Sequence, residues 1–183
     1  MAGINRAKRT LSETTVKLHA ALGIKCVFIS HQQADKALCR EIATYIQESE
    51  LDVYFDEDDH DLRIHREAND PAGVVDSIRK GINNSTHMLC VVSVNTVKSL
   101  WVPWEIGYAY DKTDLASLTL KGITDSLLPH YLLTRPVIRG TKSLNGYIQR
   151  LAGKSEATLV NESRLKLHSM SVHPLDDVLD WNQ

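Results

Sequence analysis

The chain has 183 residues, of which 43% are hydrophobic and 24% charged, and its formal net charge is −2. This length and composition fit one globular domain with a substantial core and exclude wholesale disorder. The small net charge gives no general attraction to nucleic acid or to acidic lipid, so neither nucleic acid nor a membrane is an expected partner.

The cysteines and the N-terminal sequence indicate the cellular compartment of the protein. Cys26, Cys39 and Cys90 form no CxxC pair and have no zinc-ligand spacing, so we expect buried, free thiols. The basic segment 1–10 is not followed by the apolar run of a signal peptide, and no apolar run is long enough to span a bilayer. These features predict a soluble protein of the reducing cytoplasm.

The first part of the chain predicts an arm followed by alternating strands and helices. Residues 1–23 are predicted to form an N-terminal arm or a leading helix that stops at Gly23. Residues 24–30 are apolar with little alternation, which is typical of a strand buried on both faces. A helix is predicted over 36–48, with its apolar residues on one stripe, and a short strand over 51–55.

The charged segment 56–70 is predicted to be a long polar loop, which in a compact α/β domain is often functional. Its acidic run, 56–61, lacks the spacing of a calcium-binding loop, so a solvated surface is favoured and no metal site is predicted. His60 and His65 are expected to face solvent. Pro71 can open the next helix.

The remainder of the chain continues the alternation. A buried strand is predicted over 86–94, Ser99 can cap an aromatic-rich helix over about 100–110, and further elements are a weaker strand over 115–120 and a helix over 144–151. Residues 126–133 and 136–138 are ambiguous. We assign 24–155 to one domain and 156–183 to a C-terminal extension that packs on the domain or trails from it.

Strands that alternate with helices predict an α/β fold with a parallel sheet and helices on both faces, and a flavodoxin-like strand order is the natural choice. Ligands of such sheets bind outside the carboxyl ends of the strands. The residues expected there are Ser30 and His31, the segment 56–66 and the segment 94–105.

Two segments resemble the TIR family, namely VFISHQQAD (27–35) and SLWVPWEIGYA (99–109). The second resembles the helix in which enzymatic TIR domains keep a Ser-x-Trp pair and the glutamate that cleaves NAD, and the match falls on Ser99, Trp101 and Glu105. The resemblance covers roughly 24–155. Within the family it is closest to the small ThsB proteins of the bacterial Thoeris anti-phage system, which turn NAD into a cyclic ADP-ribose-type signal for a separate effector.

The resemblance implies that NAD is consumed as a substrate rather than held as a cofactor, and the sequence has neither a GxGxxG nor a P-loop motif. It implies Glu105 as the catalytic carboxylate, with self-association of TIR subunits and a downstream effector as partners. We expect Ser30, His31, Asp35, Ser99 and Trp101 to contact the substrate.

Plainer roles remain open for these residues. Glu105 is also compatible with an exposed helix surface, Trp101 with a core aromatic, His31 with a turn and Asp35 with a helix cap. Two other functions compete at the level of the whole chain. One is a TIR module that only assembles with other TIR domains, and the other is a nucleoside deoxyribosyltransferase-like enzyme that also cleaves an N-glycosidic bond.

Overall fold

The computed structural model describes residues 3–8, 13–167 and 172–180. Its centre is a five-stranded parallel sheet in the order β2-β1-β3-β4-β5, which confirms the predicted α/β, flavodoxin-like fold. The strands are β1 (Cys26–Ser30), β2 (Asp52–Tyr54), β3 (His87–Val92), β4 (Asp114–Thr119) and β5 (Val137–Arg139).

Helices follow most of the strands, as the alternating pattern predicts. They are α1 (Glu13–Ala21), α2 (Lys36–Glu48), α3 (His60–Glu67), α4 (Pro71–Asn83), α5 (Trp101–Ala109), α6 (Gly140–Ala152) and α7 (Glu156–Asn161). Asp70 caps α4 by accepting a hydrogen bond from the Gly73 amide, directly before Pro71 opens the helix.

The sheet separates two apolar cores, and the alternation of side chains along β1 shows how. Val27 and Ile29 pack with α2, α6 and α7, whereas Cys26 and Phe28 pack with α4 and α5 on the opposite face. All four side chains are buried, which explains why the strand sequence is apolar on both faces. The same alternation directs Ser30, at the end of β1, toward the face that α5 covers.

The segment 56–70 is not the long loop that its polarity predicts. A 3₁₀ turn at Asp56–Asp58 leads into helix α3, because Asp59 caps that helix through hydrogen bonds from the amides of Asp61 and Leu62. Leu62 is the one buried apolar residue of α3, so the segment lacks the repeated apolar stripe that normally indicates a helix. Asp56 and Asp59 are also buried, contrary to the expected solvated surface.

Other differences concern boundaries. The first and third strands are shorter than predicted, since Ile24 precedes β1 and Val94 follows β3. The ambiguous stretch 126–133 holds parts of two short 3₁₀ turns, Asp125–Leu127 and His130–Thr134, and 136–138 contributes to β5. The three cysteines are free and buried, as expected.

Both ends of the described chain pack on the domain. Asp52 of β2 is fully buried and binds Arg6 and His19 through its carboxylate, at 2.8 and 2.9 Å. At the other end, Leu175 and Leu179 lie in the core that contains α2 and α6. Parts of the predicted arm and extension, residues 1–2, 9–12, 168–171 and 181–183, lie outside the described residues. Within the described part, none of the helices is long and apolar enough to cross a membrane.

Candidate active site

A cavity of about 660 Å³ opens at the carboxyl edge of the sheet. His31 follows β1 and Asp56 follows β2, so both reach the cavity from strand ends. Residues from the end of α3 and the start of α4 form one wall, and Ser99, Trp101 and Glu105 form another. This is the position at which a parallel sheet of this topology binds ligands.

Glu105 is the buried acid of the cavity. It lies on α5, is 5% exposed, and accepts a 2.6 Å hydrogen bond from the Ser30 hydroxyl. Ser30 is itself buried and does not line the cavity. Its side chain acts on the site by its hydrogen bond to the Glu105 carboxylate. The remaining lone pairs of Glu105 are available to a ligand in the cavity.

The surroundings of Glu105 make its carboxyl group hold a proton unusually tightly. Burial raises its pKa from 4.5 to about 7, and the negative charge of Asp56 acts in the same direction. The Ser30 hydrogen bond and the positive charge of Arg66 lower the pKa and partly offset this effect. A carboxyl group with such a pKa can change its charge near neutral pH.

Ser99 and Trp101 form the entrance beside Glu105. The Ser99 hydroxyl oxygen accepts hydrogen bonds from the amides of Trp101 and Val102, both at 3.2 Å, and so caps α5 as expected. Trp101 is 43% exposed, and its ring meets the edge of Trp104 at a centroid distance of 6.0 Å. Trp101 therefore presents an accessible aromatic surface to the cavity.

His31 is held firmly in the cavity wall. Its ring stacks on Phe55 at 4.9 Å, and Nδ1 donates a hydrogen bond to the Ile29 carbonyl at 3.2 Å. In this tautomer Nε2 is an acceptor, and it is buried without a hydrogen-bond partner among the described residues. His31 therefore carries an unsatisfied acceptor atom, and its contact with a substrate stays a prediction.

Asp35 lies apart from this cavity. Its carboxylate accepts hydrogen bonds from the Ser93 hydroxyl and from the Asn95 side-chain amide, which ties the start of α2 to the loop after β3. Asp35 occupies the N-cap position of α2 but makes no side-chain capping bond. A substrate contact by Asp35 stays a prediction, and the role that the geometry provides is to position the loop that leads to α5.

Comparison with known families identifies the fold family. The model of the TIR domain matches residues 27–143. The chain belongs to the TIR domain family. A relative is the protein named Probable 3' cyclic ADP-D-ribose synthase ThsB' of Bacillus cereus (strain MSX-D12), which is 28% identical over 105 residues. The alignment covers 57% of this chain and 53% of the relative, so it spans about half the length of each.

Several further residues line the cavity of this TIR domain, some within the segment 56–66 that was expected at this edge of the sheet and some beyond it. They come from the turn after β2, from α3 and from the loop into α4, and they are Asp56, His65, Arg66, Asn69 and Asp70. His65 Nδ1 donates a hydrogen bond to the Asp70 carboxylate at 2.9 Å, so His65 is not the fully solvent-facing residue that was expected. The signals that could have revealed them are the capping position of Asp59 and the basic residues of the last turn of α3.

One group of side chains has the composition of a metal site. In the part of the chain that the structure describes, His31, Asp56 and Glu57 place potential ligand atoms within 4.8 Å of one another. The Arg66 guanidinium lies 3.1 Å from Asp56 and 3.4 Å from Glu57, so it already compensates both carboxylates. An ion pair accounts for this cluster without a metal, and the absence of a metal stays a prediction.

Proposed function

We propose that this TIR domain is an NAD-consuming enzyme that cleaves the bond between nicotinamide and ribose and produces an ADP-ribose-type nucleotide. The observation that carries the proposal is the buried Glu105 carboxylate, held by Ser30 at 2.6 Å on the wall of a cavity of about 660 Å³. The side chain of Trp101, at the entrance, supplies the aromatic surface on which a nucleotide ring can stack.

The chemistry needs few groups. Nicotinamide is cationic when bonded to ribose and leaves as a neutral molecule, so its departure requires no general acid. The sugar carbon develops oxocarbenium-like positive charge, as in glycoside hydrolysis, and an anionic carboxylate nearby stabilises it. Glu105 is that carboxylate, and the positive charge of the nicotinamide ring of bound NAD favours its ionised form despite its raised pKa.

The nucleophile that reaches the sugar carbon decides between hydrolysis and cyclisation. Water gives linear ADP-ribose, whereas an adenine nitrogen or a ribose hydroxyl of the same molecule closes a ring. Exclusion of water from the cavity favours ring closure. The name of the Bacillus cereus relative, a probable cyclic ADP-ribose synthase, supports a cyclic product. The resemblance to the ThsB proteins supports a role as a signalling enzyme of anti-phage defence whose nucleotide activates a separate effector.

A purely assembling TIR module is the second candidate. The loop before α5 exposes a run of apolar side chains, with Val94 57%, Val97 47% and Leu100 90% exposed. An exposed apolar patch of this kind is typical of an interaction surface, here for other TIR subunits. The two functions are compatible, because the patch adjoins the cavity without filling it. The deoxyribosyltransferase-like alternative needs the same carboxylate but a different substrate.

The test is the product of the purified protein. The protein is incubated with NAD at increasing concentrations, so that self-association is included, and the mixture is separated by chromatography with mass detection. We expect equimolar nicotinamide and an ADP-ribose-type nucleotide, whose mass distinguishes the linear from the cyclic form by one water. Unchanged NAD under every condition, together with self-association of the protein, would favour the assembling module.

A further inference from the structure

The charges around the cavity are not matched to the proposed substrate. NAD carries a negatively charged diphosphate, but the cavity wall contains Asp56, Asp70 and Glu105. Among the described residues, Arg66 is the one arginine or lysine that lines the cavity. A diphosphate bound in this cavity therefore has one permanent positive charge of the protein available to it.

Arg66 is presented by the last turn of α3 in a defined orientation. Its Nη2 donates to Asp56 at 3.1 Å and its Nη1 to Glu57 at 3.4 Å. These two contacts leave other donors of the guanidinium unused, and the side chain is 36% exposed. The two carboxylates thus hold the guanidinium, and Arg66 keeps unused N–H donors while it lines the cavity.

We propose that Arg66 binds the diphosphate of the dinucleotide and makes the site selective for NAD over substrates that lack phosphate. This inference rests on the proposed function of Glu105. A planar guanidinium offers paired N–H donors that match the oxygens of a phosphate, and charge-assisted hydrogen bonds of this type are among the strongest in proteins. Asp56 and Glu57 act as positioning residues for Arg66.

The positions of the two groups are consistent with one bound molecule. Arg66 and Glu105 line the same cavity of about 660 Å³, and the positive charge of Arg66 lowers the pKa of the Glu105 carboxyl group. A dinucleotide bound with its diphosphate at Arg66 can place the nicotinamide ribose at Glu105 within the same cavity. The other described lysines and arginines that form ion pairs with carboxylates do not line this cavity.

The experiment compares NAD with nicotinamide riboside, which has the same scissile bond but no phosphate. Initial rates of nicotinamide release give kcat/KM for both substrates with the parent, Arg66→Gln and Arg66→Lys. The assay is run at about pH 8.5, where a Glu105 carboxyl group with a pKa of about 7 is ionised. Arg40→Gln is the control, since Arg40 pairs with Asp58 of the same acidic turn but lies outside the cavity.

We expect Arg66→Gln to lower the NAD to riboside ratio of kcat/KM by about tenfold to a hundredfold, the effect of losing a charged hydrogen bond. The loss should appear mainly in KM, Arg66→Lys should recover part of it, and Arg40→Gln should leave the ratio unchanged. Inorganic pyrophosphate should inhibit the parent competitively and inhibit Arg66→Gln more weakly.

Two outcomes would overturn the assignment. An equal loss for both substrates would mean that Arg66 only supports the fold of the acidic turn, and an unchanged ratio would mean that the diphosphate binds elsewhere. If the parent cleaves neither substrate, the proposed function fails by itself. Calorimetric titration with ADP-ribose then tests Arg66 separately, because the variant should bind it at least about tenfold more weakly than the parent.

Discussion

At the residue scale, the protonation of Glu105 links the structure to a measurable property. Burial and the neighbouring Asp56 raise the pKa of its carboxyl group to about 7, while Ser30 and Arg66 oppose them. In the free protein the carboxyl group is therefore partly protonated at neutral pH. The form that can stabilise a sugar cation is the ionised one.

Cleavage of NAD should consequently depend on pH. We expect kcat/KM to rise as the pH increases through about 7, the pKa of Glu105 in the free protein, and then to level off. Ser30→Ala should move the midpoint to higher pH, because it removes a hydrogen bond that favours the ionised carboxylate. A parent profile without a rise in this range would contradict the role of Glu105.

The same pKa has a consequence for stability. The folded protein binds the Glu105 proton more tightly than the unfolded chain, so this contribution to stability is complete below about pH 4.5 and is lost as the pH rises through about 7. Glu105→Gln carries no titratable proton. Its free energy of unfolding relative to the parent, measured in urea, should therefore increase from pH 5 to pH 8, and a constant difference would contradict the raised pKa.

Local sequence context revealed some site residues and missed others. Ser99, Trp101 and Glu105 lie within one short motif, so their proximity could be predicted, and His31 follows a strand that is recognisably buried. The segment 56–66 was expected at this edge of the sheet, so Arg66 lies in a predicted region, whereas Asn69 and Asp70 approach the cavity from outside that segment. That approach depends on tertiary packing. The charged sequence of 56–70 has no apolar periodicity from which this packing could be predicted.

At the element scale, the strands were predictable because they are buried on both faces, whereas their ends were not. The apolar run 86–94 continues to Val94, yet β3 ends at Val92 and the chain turns outward. Val92 is 1% exposed and Val94 is 57% exposed. The reason is the hydrogen bonding of the following loop, in which the Ser93 amide donates to the Thr96 hydroxyl.

This pair of valines provides a matched test of the strand assignment. Val92→Asp should prevent folding, because an unpaired carboxylate in the sheet core is severely destabilising. Val94→Asp should fold with stability close to that of the parent, since its carboxylate is solvated. Circular dichroism and urea unfolding check both variants, and a cooperatively folded Val92→Asp would contradict the buried position.

At the scale of the whole molecule, the terminal segments are attached more closely than their weak sequence patterns suggest. The arm is attached through Arg6 and His19 to the buried Asp52, and the C-terminal segment 172–180 contributes to the core. Neither attachment could be predicted, because each joins residues that are far apart along the chain. The strand order, in contrast, follows from alternation and the handedness of crossovers.

Leu179 tests whether the C-terminal segment belongs to the core. The residue is fully buried, so Leu179→Ala should lower the free energy of unfolding by about 2–5 kcal/mol. Val172→Ala, at a position that is 83% exposed, is the control and should change it by less than about 0.5 kcal/mol. Equal, small effects in urea unfolding would show that the segment does not contribute to the core.

The central claim is that the Glu105 carboxylate drives cleavage of NAD, and the most direct measurement is the rate of nicotinamide release by the parent and by Glu105→Gln at equal concentration and about pH 8.5. The variant keeps the size of the side chain and should fold, which circular dichroism confirms. Because an amide offers no full negative charge to the sugar cation, we expect a rate loss of about a hundredfold or more. A folded Glu105→Gln that releases nicotinamide as fast as an active parent would contradict the claim.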